Sequence, residues 1–264
     1  MAVSSLRELW RYRGFIRASV QREVQLKYKD SVLGLWWLIG SPLVMILIYT
    51  LVFSRIMHSR LPGMDMAYAY SVYLCAGLLQ WNLFAEIVGR TQGFVVDNAN
   101  LIKKASFPVI SLPVIASLGS LVNFGIIYGL FALFMLSQGL FSLPLLLVYP
   151  LVLVVLVAMA FAAGIVLAVF NVFFRDVGQL VPLALQLLFW ATPIVYPASI
   201  LPDGAKTWLS WLPLYNLMAL SHQLHLGIAW SLQLLLYPLA LSTGLAVLAM
   251  TVYRRLYGDM LDEI

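Results

Sequence analysis

The chain has 264 residues, of which 62% are hydrophobic and only 10% charged, and its mean hydropathy is +0.94. That balance excludes an ordinary water-soluble globule, and the lone Cys75 excludes an intrachain disulfide or a thiolate metal cluster. The net charge of +5 sits in short basic clusters between charge-poor stretches. This is the pattern of a polytopic all-α membrane protein, because about 20 apolar residues cross the hydrocarbon as a helix that satisfies its own backbone.

Residues 5–28 are expected to form an amphipathic helix on the membrane face. Leu6, Leu9, Trp10, Ile16, Val20 and Val24 recur near helical spacing, with Arg7, Arg11, Arg22 and Glu23 largely elsewhere. Nine charges between Arg7 and Lys29 leave no continuous apolar core, so this segment is not a cleavable signal peptide. It reads equally as a surface anchor or as a helix that docks a partner.

Six spans are predicted, near 32–54, 67–89, 107–136, 144–172, 178–197 and 231–253. The first contains Gly40-Ser41-Pro42, which predicts a kink. The second contains Glu86 one turn before Arg90, and an i to i+4 ion pair is the simplest account of that carboxylate. Asp97 to Lys104 then predicts a short cytoplasmic helix, with Asp97 or Asn98 as its cap and two lysines at its basic end. Leu101 and Ile102 are its apolar knobs; either a partner covers them or they dip into the lipid interface. The third span carries Gly125-x-x-x-Gly129, a weak close-packing signal that reads as internal packing rather than a subunit interface. The fourth has no charge from Leu145 to Val172. A tight turn, Asn171 to Asp176, leads into the fifth, which is punctuated by Pro182 and Pro193.

Residues 198–230 are too interrupted for a clean span. Short aromatic-rich helices dipping into the outer leaflet fit better, since Trp and Tyr favour the interface. Residues 254–264 are left as a cytoplasmic tail. With the N-terminus inside, thirteen Lys and Arg are cytoplasmic and only Arg55, Arg60 and Lys206 lie outside, so the positive-inside bias puts both termini in the cytoplasm. The basic face meets anionic lipid, and nucleic acid is not an expected partner.

Several chemistries are missing. No Gly-x-x-x-x-Gly-Lys-Ser/Thr loop occurs and no connecting loop is long enough for a nucleotide-binding domain, so the chain is not expected to hydrolyse ATP. Apart from Glu86, the spans lack the charges of ion-coupled transport. His222 and His225 share one side of a helix but have no Cys or carboxylate beside them. They read as a polar patch on an outer-face segment rather than a metal site. No Ser-His-Asp or paired-carboxylate constellation stands out. A channel fits this inventory, and so does half of a pump driven by another subunit.

The residues Lys27-Tyr28-Lys29-Asp30-Ser31-Val32-Leu33-Gly34-Leu35-Trp36-Trp37, followed by Pro42-Leu43, resemble the start of span one in ABC-2 type permeases of bacterial polysaccharide exporters. Asn98 to Pro108 is similar to that family's first coupling region, and Asn171 to Asp176 to its turn before span five. Phe189-Trp190-Ala191-Thr192-Pro193-Ile194-Val195-Tyr196 is similar to the outer end of that span. The likeness runs through nearly the whole chain in order.

The resemblance implies a homodimer in the bacterial inner membrane, bound to two copies of a separate ABC ATPase that holds the ATP and Mg; this chain itself takes no cofactor. The implied substrate is polysaccharide on an undecaprenyl diphosphate carrier, O-antigen before capsule or teichoic acid, moved to the periplasm. ATPase coupling then falls to the N-terminal helix and to Asp97, Asn98, Leu101, Ile102, Lys103, Lys104, Arg175 and Asp176. The segment 199–225 becomes a set of outer gate helices, with Trp208, Trp211, Tyr215 and His222 as gate candidates. Sugar CH faces pack on aromatic planes. Trp36, Trp37, Tyr49, Tyr70, Tyr73, Trp81, Phe189 and Trp190, with Glu86, are accordingly the translocation-path candidates. The rivals are a lipid or drug permease and, from another class, a membrane glycan-modifying enzyme.

Overall fold

The structure, a computed structural model, describes residues 10–29, 40, 44, 48, 68–104 and 107–263. Among them every regular element is helical. The helices are α1 (Arg13–Lys29), α2 (Ala69–Asp97), α3 (Ala99–Lys104), α4 (Ser111–Ser137) and α5 (Leu143–Phe173). They continue with α6 (Val177–Ala191), α7 (Asp203–Leu209), α8 (Pro213–Leu226) and α9 (Gln233–Glu263), and a single 3-10 turn spans Ala198–Ile200.

Four of these, α2, α4, α5 and α9, are long and apolar enough to cross a membrane. Each has at least 27 residues and so extends about 40 Å or more, against about 30 Å of hydrocarbon. Large apolar side chains point away from the bundle along three of them, including Leu133 on α4, Leu147 and Val154 on α5, and Leu236 and Val247 on α9. Water would penalise such a surface, and lipid matches it.

Helix α5 is the hub: α2 and α9 make its main contacts, and α8, α4 and α6 touch it too. Ser142 caps it by accepting from the Leu145 amide at 3.4 Å, with Pro144 in the first turn, where a missing donor costs nothing. Two apolar clusters run along α2 and α5. The larger holds Val72, Trp81, Tyr149, Val152, Leu156 and the buried face of α8. The smaller, at the opposite end, joins Phe94, Val95, Ile102, Val169, Val172 and Met260.

One expectation falls outside the described residues, and others are corrected. The predicted first span, including the kink at Ser41-Pro42, lies outside the described residues except for Gly40, Val44 and Ile48. The predicted fifth span is a helix of 15 residues, about 22 Å long and short of the hydrocarbon thickness. It stops because Pro193 disfavours the helical region for the residue before it, and Thr192 is extended at φ −92° and ψ 134°. Helix α2 overruns its expected end to Asp97, since Phe94 and Val95 still find buried partners. Helix α9 runs on past the expected end of the last span, through residues 254–263 to Glu263.

Among the described residues the pair Gly125 and Gly129 mediates no internal packing: both glycines are exposed, and a Cβ at either position would meet none of these residues within 4 Å. The close helix approach is elsewhere, at Gly164 of α5, where an added Cβ would lie 2.5 Å from the Thr91 Cβ of α2.

Candidate functional site

At one end of the bundle the chain gathers α3, the turn from α5 to α6 and the last turns of α9. Asp97 ends α2 and is exposed. Asn98 does not cap α3 with its side chain: its Nδ2 donates back to the Phe94 carbonyl at 2.9 Å. Its own backbone carbonyl accepts from the Leu101 and Ile102 amides, so the backbone starts the helix. The two apolar knobs separate. Leu101 is 45% exposed, whereas Ile102 is 8% exposed and sits in the smaller cluster. Lys103 and Lys104 point outward, as do Phe174, Arg175 and Asp176 at the neighbouring turn. Asn171, just before that turn, donates to the Gln92 carbonyl at 3.2 Å and ties the turn to α2.

The C-terminal end of α9 was missed as part of this assembly. Met260 is buried in the cluster and Tyr253, Leu256 and Tyr257 pack against it. The signal was present: 253, 256/257 and 260 are helical spacing, hidden by the charges interleaved with them.

The ion pair expected between Glu86 and Arg90 is there at 3.7 Å. Its larger part was not foreseen: the Arg90 guanidinium also binds Glu23 of α1, and its Nη1 lies 3.4 Å from Ser120 Oγ of α4. Gly119 leaves room for the Glu23 carboxylate, since a Cβ there would meet it at 2.9 Å. Phe15 of α1 stacks obliquely on Phe107 at 5.5 Å, and Ile16 is buried. Helix α1 is thus clamped to the bundle by one arginine shared between two carboxylates. No sequence signal could pair Glu23 with a residue so distant.

Each half-exposed pair is worth about 0.2–1 kcal/mol, so the clamp is adjustable rather than rigid. Arg90→Glu is expected to free α1 and speed trypsin cleavage at Arg17 and Arg22. The exchange Glu23→Arg with Arg90→Glu should restore protection. Equal cleavage of all three proteins would rule the clamp out.

The other end is aromatic. Tyr73 of α2 is buried and shares its hydroxyl proton between the Pro193 and Tyr196 carbonyls, both at 2.8 Å. Tyr70 donates to the Val195 carbonyl at 2.8 Å. Together they hold the extended segment after α6 against α2. The His222 ring stacks on Tyr73 with centroids 3.7 Å apart, and Gly77 admits it, as a Cβ there would lie 2.8 Å from its Nε2.

His225 is held separately. Its Nδ1 is 2.7 Å from the Ser221 carbonyl, so Nδ1 carries the proton and Nε2 accepts from Tyr128 Oη at 3.2 Å. Both imidazoles are therefore buried among rings, not a polar surface patch. No group of three metal-ligating side chains occurs among the described residues.

Of the path candidates, Trp81 is buried between Phe84 and Phe189, and Phe189 meets Trp190 edge-on at 5.2 Å. Trp190 faces outward. Tyr70 and Tyr73 form the second group, with His222. Glu86 belongs to the clamp and joins neither group. Trp36, Trp37 and Tyr49 lie outside the described residues. Among the gate candidates, Trp208 and Trp211 are 80% and 70% exposed around α7, Tyr215 is half-buried and His222 is buried.

Comparison with known proteins gives a consistent answer. The ABC-2 type transporter family model matches residues 15–224. A Myxococcus xanthus protein named O-antigen export system permease protein RfbA is 31% identical over 215 residues, covering 81% of this chain and 80% of that protein. A Klebsiella pneumoniae protein of the same name is 29% identical over 75% of this chain and 73% of its own length. The Escherichia coli polysialic acid transport protein KpsM is 23% identical, with 79% and 80% covered.

Proposed function

Because the chain belongs to the ABC-2 type transporter family, we propose that it is the membrane subunit of an ATP-driven polysaccharide exporter, with O-antigen as its cargo. The observation that carries this is the 31% identity to an O-antigen export permease over four fifths of both chains. Identity to the polysialic acid transport protein is lower, which favours O-antigen over capsule. The chain is a transport subunit rather than an enzyme, and it is multi-pass.

The finer reading has six spans, with residues 32–54 and the segment 178–197, built on α6 and the extended stretch after it, completing the set, and with outer-face re-entrant gate helices within 199–225. It places the chain in the inner membrane, both termini in the cytoplasm, where its Lys and Arg excess belongs. A homodimer binds two ATPase copies, which hold ATP and Mg, and the substrate rides on undecaprenyl diphosphate. The open faces at Gly125 and Gly129 support a second copy against α4. Leu101, Lys103, Lys104, Arg175 and Asp176 line the ATPase-facing end, and exposure of Leu101 beside charges supports a covering partner.

Deleting the gene in its own bacterium is expected to leave lipid-linked glycan inside the cell and to strip it from the surface. Mass spectrometry of the retained material identifies the glycan. Normal surface glycan in the deletion strain would reject the proposal.

A further inference from the structure

At the aromatic end, outside the path candidates, lies an open cleft of about 490 Å³ between the α7–α8 junction and the start of α9. That volume falls within the range of small-ligand sites. Its lining is Ser210, Asn216, Gln223, Ser231, Gln233, Leu234 and Tyr237. Not one of these side chains is charged. Two hydroxyls and three carboxamides supply both donors and acceptors, and Tyr237 adds a ring.

The cleft is built rather than incidental. Asn216 Nδ2 donates to the Ser210 carbonyl at 2.8 Å, and Tyr237 Oη donates to the Trp211 carbonyl at 2.8 Å, bracing the α7 side against α9. Gln223 Oε1 is buried without a hydrogen-bond partner, an acceptor the fold leaves open. Trp211, whose carbonyl Tyr237 holds, is exposed.

We infer that this cleft is a binding subsite for an uncharged stretch of saccharide chain. The inference rests on the exporter reading and adds which part of the cargo is held there. Neutral donors and acceptors in pairs match sugar hydroxyls, which both give and take hydrogen bonds, and an adjacent ring matches a sugar CH face. A diphosphate or a sugar carboxylate needs cationic partners, and the lining has none. The cleft therefore holds neither the carrier headgroup nor an acidic glycan.

The test uses the full permease–ATPase complex in lipid nanodiscs, titrated with a linear mannose oligosaccharide and with a sialic acid oligosaccharide of equal length. Tryptophan fluorescence and saturation-transfer NMR report binding. The neutral probe is expected to bind at least about tenfold tighter than the acidic one, and Gln223→Leu with Gln233→Leu to weaken it about tenfold. Ser231→Trp, which fills the cleft from an exposed position, should do the same without touching α8 packing. Equal binding of the two probes, no binding of mannose, or unchanged affinity in the Ser231→Trp complex overturns the subsite. Such a result leaves the exporter reading standing if deletion still strips surface glycan, whereas unchanged surface glycan overturns that reading and leaves the titration to decide the subsite.

Discussion

Leu101→Asp is expected to give a folded, membrane-inserted protein that no longer binds its ATPase, while Ile102→Asp is expected to fail as a fold. The two side chains are adjacent in sequence but differ in burial, 45% against 8% exposed. A carboxylate at Leu101 stays in water and removes only what a partner would cover, a contact worth about 1.5–3 kcal/mol for a large apolar side chain. A carboxylate at Ile102 enters an apolar cluster with Phe94, Val172 and Met260 and finds no cation among them. That costs more than the roughly 2–5 kcal/mol of truncating a buried isoleucine to alanine, because the charge is also desolvated. Co-purification of the ATPase and export separate the first variant from wild type; melting temperature separates the second. If Leu101→Asp retains the ATPase and exports normally, α3 is not a docking element. Altering both knobs together would confuse loss of docking with loss of fold.

Gly164→Leu is expected to destroy the helix packing at the centre of the protein. The Thr91 Cβ lies 2.5 Å from where a Cβ on Gly164 would be. That atom is fixed to the α2 backbone, so no rotamer change relieves the overlap and the helices must move apart. In lipid the loss is severe, because spans associate through close packing rather than through escape from water. Even Gly164→Ala should lower the melting temperature, by the equivalent of about 1–3 kcal/mol of overpacking. The pair Gly164→Ala with Thr91→Gly should recover most of it. Thr91 Oγ1 has no hydrogen-bond partner among the described residues, so removing that hydroxyl forfeits little. Wild-type melting of Gly164→Leu would show that α2 and α5 do not cross this closely.

Where charge was scarce, the sequence alone was informative. Runs such as Leu145–Val172 have no stable home in water, and a backbone in hydrocarbon has no alternative to the helix, so four long helices were placed within a few residues at most ends. The motif order also pointed to the family. The Glu86–Arg90 pair was legible because an i to i+4 relation is local. Glu23 as the third member was not, since it reaches Arg90 through the packing of α1 on α4 and of α4 on α2.

The same division runs through the candidate site. Residue types nominated Leu101 and Ile102 as equal knobs and His222 and His225 as a polar patch on an outer-face segment, because composition states what a side chain prefers and not which neighbour reaches it. Packing then buried Ile102 under α9 and stacked His222 on Tyr73. Likewise Gly125 and Gly129 carried the small-residue spacing, yet the close crossing formed at Gly164, where Thr91 of another helix happens to arrive. What the sequence by itself determined was which stretches leave water and that they do so as helices, since both follow from the chain's own local chemistry. Only the tertiary structure decided which faces meet, because each contact between helices depends on two surfaces far apart in the chain.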